Sequence, residues 1–247
     1  MTSLRNLKNE VHIWCARLDL DELSVSCACQ RLSGDERKQA LQLRTPLLRA
    51  KFIVSRTLLR MLIAHLCDCA PDRIQFSYGE YGKPSVENQF PSVQFNMSHS
   101  GDIAAYAFTA YDPLGLDIEQ HRPMPDLEGI AFRFFNHSDF EELLHVSAPE
   151  RVPSFFDCWV RKEAYVKGLG KGLSMPLDGF QVSFAPGQRT AVVTEHDDTE
   201  DSLAWSIVAF APEVAYSGAV AVRRRTGKVR IHKLRSARDI LAGTTRL

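Results

Sequence analysis

Two short segments of this chain each place a pair of charged side chains on a single face. Trp159 to Lys167 reads W-V-R-K-E-A-Y-V-K, a run that predicts a helix with Glu163 and Lys167 on one side. Gly115 to Glu119 reads G-L-D-I-E and predicts a strand, on which Asp117 and Glu119 point the same way. Two like-sided carboxylates repel and call for a cation. Three carboxylates and a lysine on two rigid elements suit a hard metal. Oxygen-only ligands of this kind suit Mg²⁺, which keeps waters and is usually shared with substrate phosphates. Phosphate chemistry is therefore the expectation. The residue types also allow a plainer reading, an exposed Glu163–Lys167 helix pair. Against it, Glu163 stands among Phe155, Phe156, Trp159, Tyr165 and Val166, where an unpaired charge is expensive.

The 247 residues suffice for one large or two small domains with a real core. No apolar run approaches the roughly 18 residues of a membrane span, and Met1 to Glu10 is polar, so the expectation is a cytoplasmic protein without membrane contact. The cysteines Cys15, Cys27, Cys29, Cys67, Cys69 and Cys158 lack zinc-site spacing and paired histidines, and read as reduced thiols. Net charge is zero, yet Arg223 to Leu247 holds nine Lys/Arg and one acid, Asp239. That basic end reads as a solvated tail or as a surface for an acidic partner. Glu195 to Asp201, rich in acids, reads as a solvated loop.

Val11 to Leu18 alternates as a first strand. Ser33 with Glu36 forms a capping box for a polar helix to about Arg44, and Pro46 opens a periodic helix, Leu47 to Leu66. Ile74–Tyr78, Val93–Asn96 and Ile103–Thr109 read as strands, and Tyr81 to Pro84 as a turn. After Pro113, Ser138 with Glu141 predicts a helix near Asp139 to Val146, and a long helix runs from about Pro153 to Lys167, stopped by Gly168 and Gly170. Phe180–Phe184, Thr190–Thr194, Leu203–Ala211 and Ala215–Val222 read as strands. Each half is helical material followed by an antiparallel meander. The expectation is an α+β protein of two similar lobes, 1–112 and 113–247, with the basic segment from about 223 inside the second.

Ser98-His99-Ser100-Gly101 offers hydroxyls, an imidazole and backbone N–H groups that suit phosphate. A plain Ser/Gly turn is the alternative. A Ser–His hydrolase fits poorly, because neighbouring strand residues point apart and no nucleophile elbow is present. Lys51, Arg56 and Lys83, weak singly, could together clamp a polyphosphate. No Walker loop or dinucleotide fingerprint occurs, and Gly168 to Gly172 follows a helix instead of opening one.

F-N-M-S-H-S at Phe95 to Ser100, G-L-D-I-E, and W-V-R-K-E-A-Y-V-K resemble the three ordered motifs of the 4′-phosphopantetheinyl transferases. Overall size and the Tyr81-Gly82-Lys83-Pro84 turn resemble the larger Sfp-type branch. The resemblance implies two lobes related by a pseudo-twofold axis, with the active site and coenzyme A between them. It implies transfer of the phosphopantetheine arm of coenzyme A to a serine of an acyl or peptidyl carrier protein, releasing adenosine 3′,5′-bisphosphate. By motif position, Asp117, Glu119 and Glu163 would hold Mg²⁺ and Glu163 would serve as base. Asp117 would thereby also meet the pyrophosphate of coenzyme A. Lys167 would bind and help discharge the leaving phosphate. Ser98 and His99 would hold phosphates, with Lys83 and Arg56 near the adenine and 3′-phosphate, and Lys51 a looser carry-over. The W…KEA form resembles members serving fatty-acid, polyketide and lysine-pathway carriers. The basic end would then help dock an acidic carrier, and two lobes in one chain imply a monomer. A binding-only relative would be expected to lose a carboxylate or the lysine, and this chain keeps them all. A nucleic-acid-binding reading rests on the basic end alone.

Overall fold

The computed structural model describes residues 6–18, 21–87, 93–185, 187–191, 193–195, 205–223, 228–234 and 236–241. Beyond Glu195, the acidic run to Asp201 lies outside them.

The first half opens with β1 (Glu10–Arg17), then α1 (Glu22–Gln30), α2 (Gly34–Gln42) and the long α3 (Pro46–Cys67). A short hairpin, β2 (Phe76–Tyr78) and β3 (Pro84–Val86), precedes β4 (Val93–Ser100) and β5 (Ile103–Ala110). The capping box of Ser33 and Glu36 is present. Thr45 caps α3 by accepting from Leu48 N, with Pro46 in the first turn, where its missing N–H costs nothing. Helix α1 is not apparent from its Ser- and Cys-rich sequence. It forms because Asp21 caps it and Ala28 buries against α3.

The second half runs β6 (Leu114–Gln120), α4 (Leu127–Phe134), α5 (His137–His145) and α6 (Ala148–Leu169). It continues through β7 (Phe180–Val182), β8 (Thr190–Ala191), β9 (Val193–Glu195), β10 (Ser206–Phe210), β11 (Tyr216–Val222), β12 (Lys228–Leu234) and α7 (Ala237–Leu241). Two sequence expectations shift. Asn136, not Ser138, caps α5, its Oδ1 accepting from Asp139 N at 2.8 Å. Pro153 lies inside α6 and does not begin it; the lost backbone bond is small against the burial of Phe155, Phe156 and Val160 further along. Gly170, at φ 73°, ends the helix in the left-handed region.

Among the described residues, two four-stranded sheets result, ordered β12-β1-β5-β4 and β6-β11-β10-β8. The first is mixed, because β12 pairs in parallel with β1 from Glu10↔Lys228 to Ala16↔Leu234. This corrects the reading of the basic end. Its described part is no solvated tail, and 228–234 lies in the first sheet although it follows the second in sequence. Val229 and Leu234 pack on core residues, which draws the segment back.

The molecule stacks in four layers. Strand alternation sends Trp14, Ala104, Tyr106 and Phe108 toward α3 and its Val54, Leu58 and Leu62. The other face, Val11, Ile13, Ala105 and Ala107, meets Leu114, Leu116, Ile118, Val220 and Val222 of the second sheet. Ala219 and Ala221 of that sheet turn to α6. Strands β5 and β11 are buried along their whole length, as central strands covered on both faces must be. Among the described residues, no helix is long and apolar enough to cross a membrane.

Candidate active site

On β6, Leu116 and Ile118 face the first sheet, so Gly115, Asp117 and Glu119 face α6. Gly115 sets the approach. A Cβ there would fall 2.1 Å from the Ala164 carbonyl oxygen and 2.2 Å from Gly168 N. Only a residue without a side chain lets the α6 backbone rest on the strand. The contact carries Glu163 and Lys167, one turn apart and next in sequence to Ala164 and Gly168, over the strand's carboxylates.

Lys167 Nζ lies 2.5 Å from Asp117 Oδ1. Ser98 Oγ donates to the same oxygen at 2.8 Å. Asp117 is 4% exposed, and its second oxygen, Oδ2, is buried without a hydrogen-bond partner among the described residues. Burial pushes the Asp117 carboxyl up, against the pull of Lys167 and Ser98. Burial also raises Glu163; Lys167 opposes that rise, and the charges of Asp117 and Glu119 add to it. The three carboxylates are thus electrostatic neighbours, and one ammonium group, that of Lys167, sits on Asp117.

Strand β4 supplies a second contact with β6. Both are edge strands of their sheets, and β6 turns the N–H groups of Leu116, Ile118 and Gln120 toward β4. Asn96 Oδ1 accepts from Leu116 N at 2.8 Å, Ser98 Oγ from Ile118 N at 3.4 Å, and Ser100 Oγ from Gln120 N at 3.0 Å. The alternating N-x-S-x-S of β4 therefore matches the pleat of β6 step for step and satisfies an edge that would otherwise stay open. Ser100 Oγ also donates to Glu119 Oε2 at 2.7 Å. Arg122 Nη1 reaches that same oxygen at 3.1 Å. Asn96, Arg122 and Gly115 had no role assigned from sequence, and the Ser100 hydroxyl was read there only as one of the groups suited to phosphate. The period-two spacing of Asn96, Ser98 and Ser100 was the available signal.

His99 points away from Ser98, as strand geometry requires, and is exposed. Its pKa is lowered, first by the protein surrounding its ring and then by the cations Lys167 and Lys51. Lys51 stands at the rim, donating to the Gly101 carbonyl at 2.5 Å and pairing with Asp102 at 3.3 Å. Two expected phosphate ligands are engaged elsewhere. Arg56 is buried, with Nε donating to Glu36 at 2.7 Å, Nη2 to the Tyr78 hydroxyl, and its guanidinium over the Phe76 ring. Lys83 Nζ donates to the carbonyls of Leu114 and Gly168, each at 2.9 Å, and ties the start of β6 to the end of α6. Burial pushes its pKa down to about 8.

As a cation site the donor set fits. The groups are hard oxygens, and Asp117 Oδ2 is a buried acceptor with nothing bound to it. Among the described residues, however, no three such side chains already converge on one point. Lys167 stands on the other oxygen of Asp117.

The model of the 4′-phosphopantetheinyl transferase superfamily matches residues 113–221. That of the 4′-phosphopantetheinyl transferase N-terminal region matches residues 21–110. The chain is similar to the 4′-phosphopantetheinyl transferase HetI of Nostoc sp. (strain PCC 7120), 32% identical over 222 residues, or 89% of this chain and 90% of that protein. It is also similar to the 4′-phosphopantetheinyl transferase Sfp of Bacillus subtilis (strain 168), 39% identical over 130 residues, or 53% of this chain and 56% of that protein. The crystal structure of Thermotoga maritima holo-[acyl-carrier-protein] synthase superposes with a TM-score of 0.36 at 19% identity, covering 46% of this chain and 64% of that one, too slight a likeness to carry weight.

Proposed function

The chain belongs to the 4′-phosphopantetheinyl transferase superfamily, and from that premise we propose that it moves the phosphopantetheine arm of coenzyme A onto a serine of an acyl or peptidyl carrier protein. Adenosine 3′,5′-bisphosphate is the other product. The observation that carries the reading is the meeting of Asp117 and Glu119 on β6 with Glu163 and Lys167 on α6, across the Gly115 contact.

Transfer to a serine hydroxyl requires attack of oxygen on the β-phosphorus of coenzyme A and departure of the bisphosphate. Such chemistry asks the protein for positioning and charge neutralisation more than for covalent help. Glu163 takes the hydroxyl proton. Its raised pKa brings the carboxylate's basicity closer to that task. Lys167, 32% exposed and bound to Asp117, neutralises charge on the leaving phosphate. His99, with Lys51 beside it, meets the outer phosphate, and Ser98 orients Asp117. Asp117, Glu119 and Glu163 would hold Mg²⁺, which when bound supplies positive charge to the pyrophosphate. The two sheet-and-helix layers, related by a pseudo-twofold axis, would flank coenzyme A and complete the site within a monomer.

Intact-mass spectrometry of a panel of apo carrier proteins tests this, with coenzyme A and Mg²⁺, and with EDTA as control. A metal-dependent gain of one phosphopantetheine arm is expected, lost in Asp117→Ala and Glu163→Ala proteins that keep their fold. Normal turnover in Asp117→Ala would show the metal assignment to be wrong.

A further inference from the structure

Ser100 lies at the end of β4, beside the serine that touches Asp117 but directed at a different carboxylate. Its hydroxyl makes two contacts. It accepts from Gln120 N at 3.0 Å and donates to Glu119 Oε2 at 2.7 Å. Because the backbone bond sets where the oxygen sits, the proton is aimed at the carboxylate of the preceding residue. The Glu119 side chain has three torsions of its own to settle beyond the strand backbone, and it is 25% exposed. Arg122 also falls on Oε2, at 3.1 Å, from a side chain 55% exposed. An exposed pair of that kind holds little. The Ser100 bond is shorter, comes from a strand, and is fixed by the ladder that joins the sheets.

We infer that Ser100 is a positioning residue for Glu119: it engages Oε2 and so presents Oε1 to the cation. This rests on the reading above, in which Glu119 holds that cation. The contact is of the kind that orients a metal-binding carboxylate from behind, leaving one oxygen for the metal. Ser98 repeats the arrangement one step along. It accepts from Ile118 N and donates to Asp117 Oδ1, and Asp117 Oδ2 is left without a partner. Two serines two residues apart thus treat two carboxylates two residues apart in the same way, each occupying one oxygen.

The test reads the ion itself, not turnover. Free Mn²⁺ is followed by electron paramagnetic resonance as it is titrated into the full chain with coenzyme A and no carrier protein. Wild type, Ser100→Ala, Ser100→Thr and Glu119→Ala are compared, with thermal melts alongside. Ser100→Ala should weaken Mn²⁺ binding by about 10- to 100-fold, the usual effect of removing such a partner. Ser100→Thr, which keeps the hydroxyl, should restore most of it. If Ser100→Ala lowers the melting temperature but binds Mn²⁺ as wild type does, while Glu119→Ala does not, Ser100 serves only the strand contact and the inference fails. If Glu119→Ala also binds Mn²⁺ normally, the assignment of Glu119 to the cation falls, and the role of Ser100 with it.

Discussion

Gly115 and Gly168 meet backbone to backbone: a Cβ on Gly115 would lie 2.2 Å from the amide nitrogen of Gly168. A methyl group there must push β6 and α6 apart, and the helix brings Glu163 and Lys167 with it. Gly115→Ala should destabilise the protein by about 1–3 kcal/mol, as overpacking of a tight contact does. It should also reduce transfer far more than that loss of stability explains, because Lys167 would leave Asp117. Thermal melts and steady-state rates, compared at a temperature where the variant is folded, decide this. Wild-type turnover would mean the close contact does not set the site.

The carboxylate cluster should itself weaken the metal-free protein. Glu163 has a folded-state pKa above its ordinary 4.5, through burial first and then the charges of Asp117 and Glu119. The folded state therefore keeps the proton in a window where the unfolded chain has released it, and stability falls as pH rises through that window. Glu163→Gln should melt higher than wild type at neutral pH without metal. The gap should close below about pH 4.5, where both forms of the residue are neutral. A lower melting temperature at neutral pH would contradict this.

Glu36 should matter to stability far more than its place on a polar helix suggests. It is buried, and its two oxygens accept from Arg56 and Arg60, each at 2.7 Å. Glu36→Ala leaves two buried guanidinium groups without their counter-ion and should cost about 3–5 kcal/mol. Chemical denaturation measures it. A change within a few tenths of a kcal/mol would show that water reaches both arginines.

The seam between β1 and β12 should loosen in acid. His12 Nδ1 and His232 Nε2 lie 3.0 Å apart, with Trp14 stacked on both rings, Glu10 on the other nitrogen of His12, and Arg230 bound to Glu10. Burial lowers the pKa of both histidines, Arg230 adds to each, and Glu10 opposes. With folded values below the ordinary 6.5, the unfolded chain takes up protons first as pH falls, so stability is lost through that window. Amide hydrogen exchange along Lys228–Leu234 should accelerate, after correction for intrinsic rates, when pH drops from neutral to below 6.5. His12→Gln should flatten that response. Unaltered protection would show that the pair does not hold the seam.

Local chemistry was readable without coordinates wherever one element carries its own information. The Ser33–Glu36 box, Pro46 at the head of α3, Gly170 at the end of α6, and the shared faces of Asp117 with Glu119 and Glu163 with Lys167 are all properties of spacing along one helix or strand. So were the residue types of the site, because hard oxygens and a lysine suit phosphate whatever surrounds them. What Arg56 and Lys83 do was not readable. A cation's partner is chosen by what lies across from it: for Arg56 this is Glu36, brought over from another helix, and for Lys83 two carbonyls at the seam of β6 and α6. The fate of the basic end was likewise a long-range matter. Lys228–Leu234 has a strand's alternation but no local signal naming β1 as its neighbour, and the burial of Val229 and Leu234 decided it. Asn96, Ser98 and Ser100 fall between the two cases. Their period of two was written in the chain, but its meaning required a second strand with open N–H groups at the same period. Only packing of the two sheets could place that strand opposite.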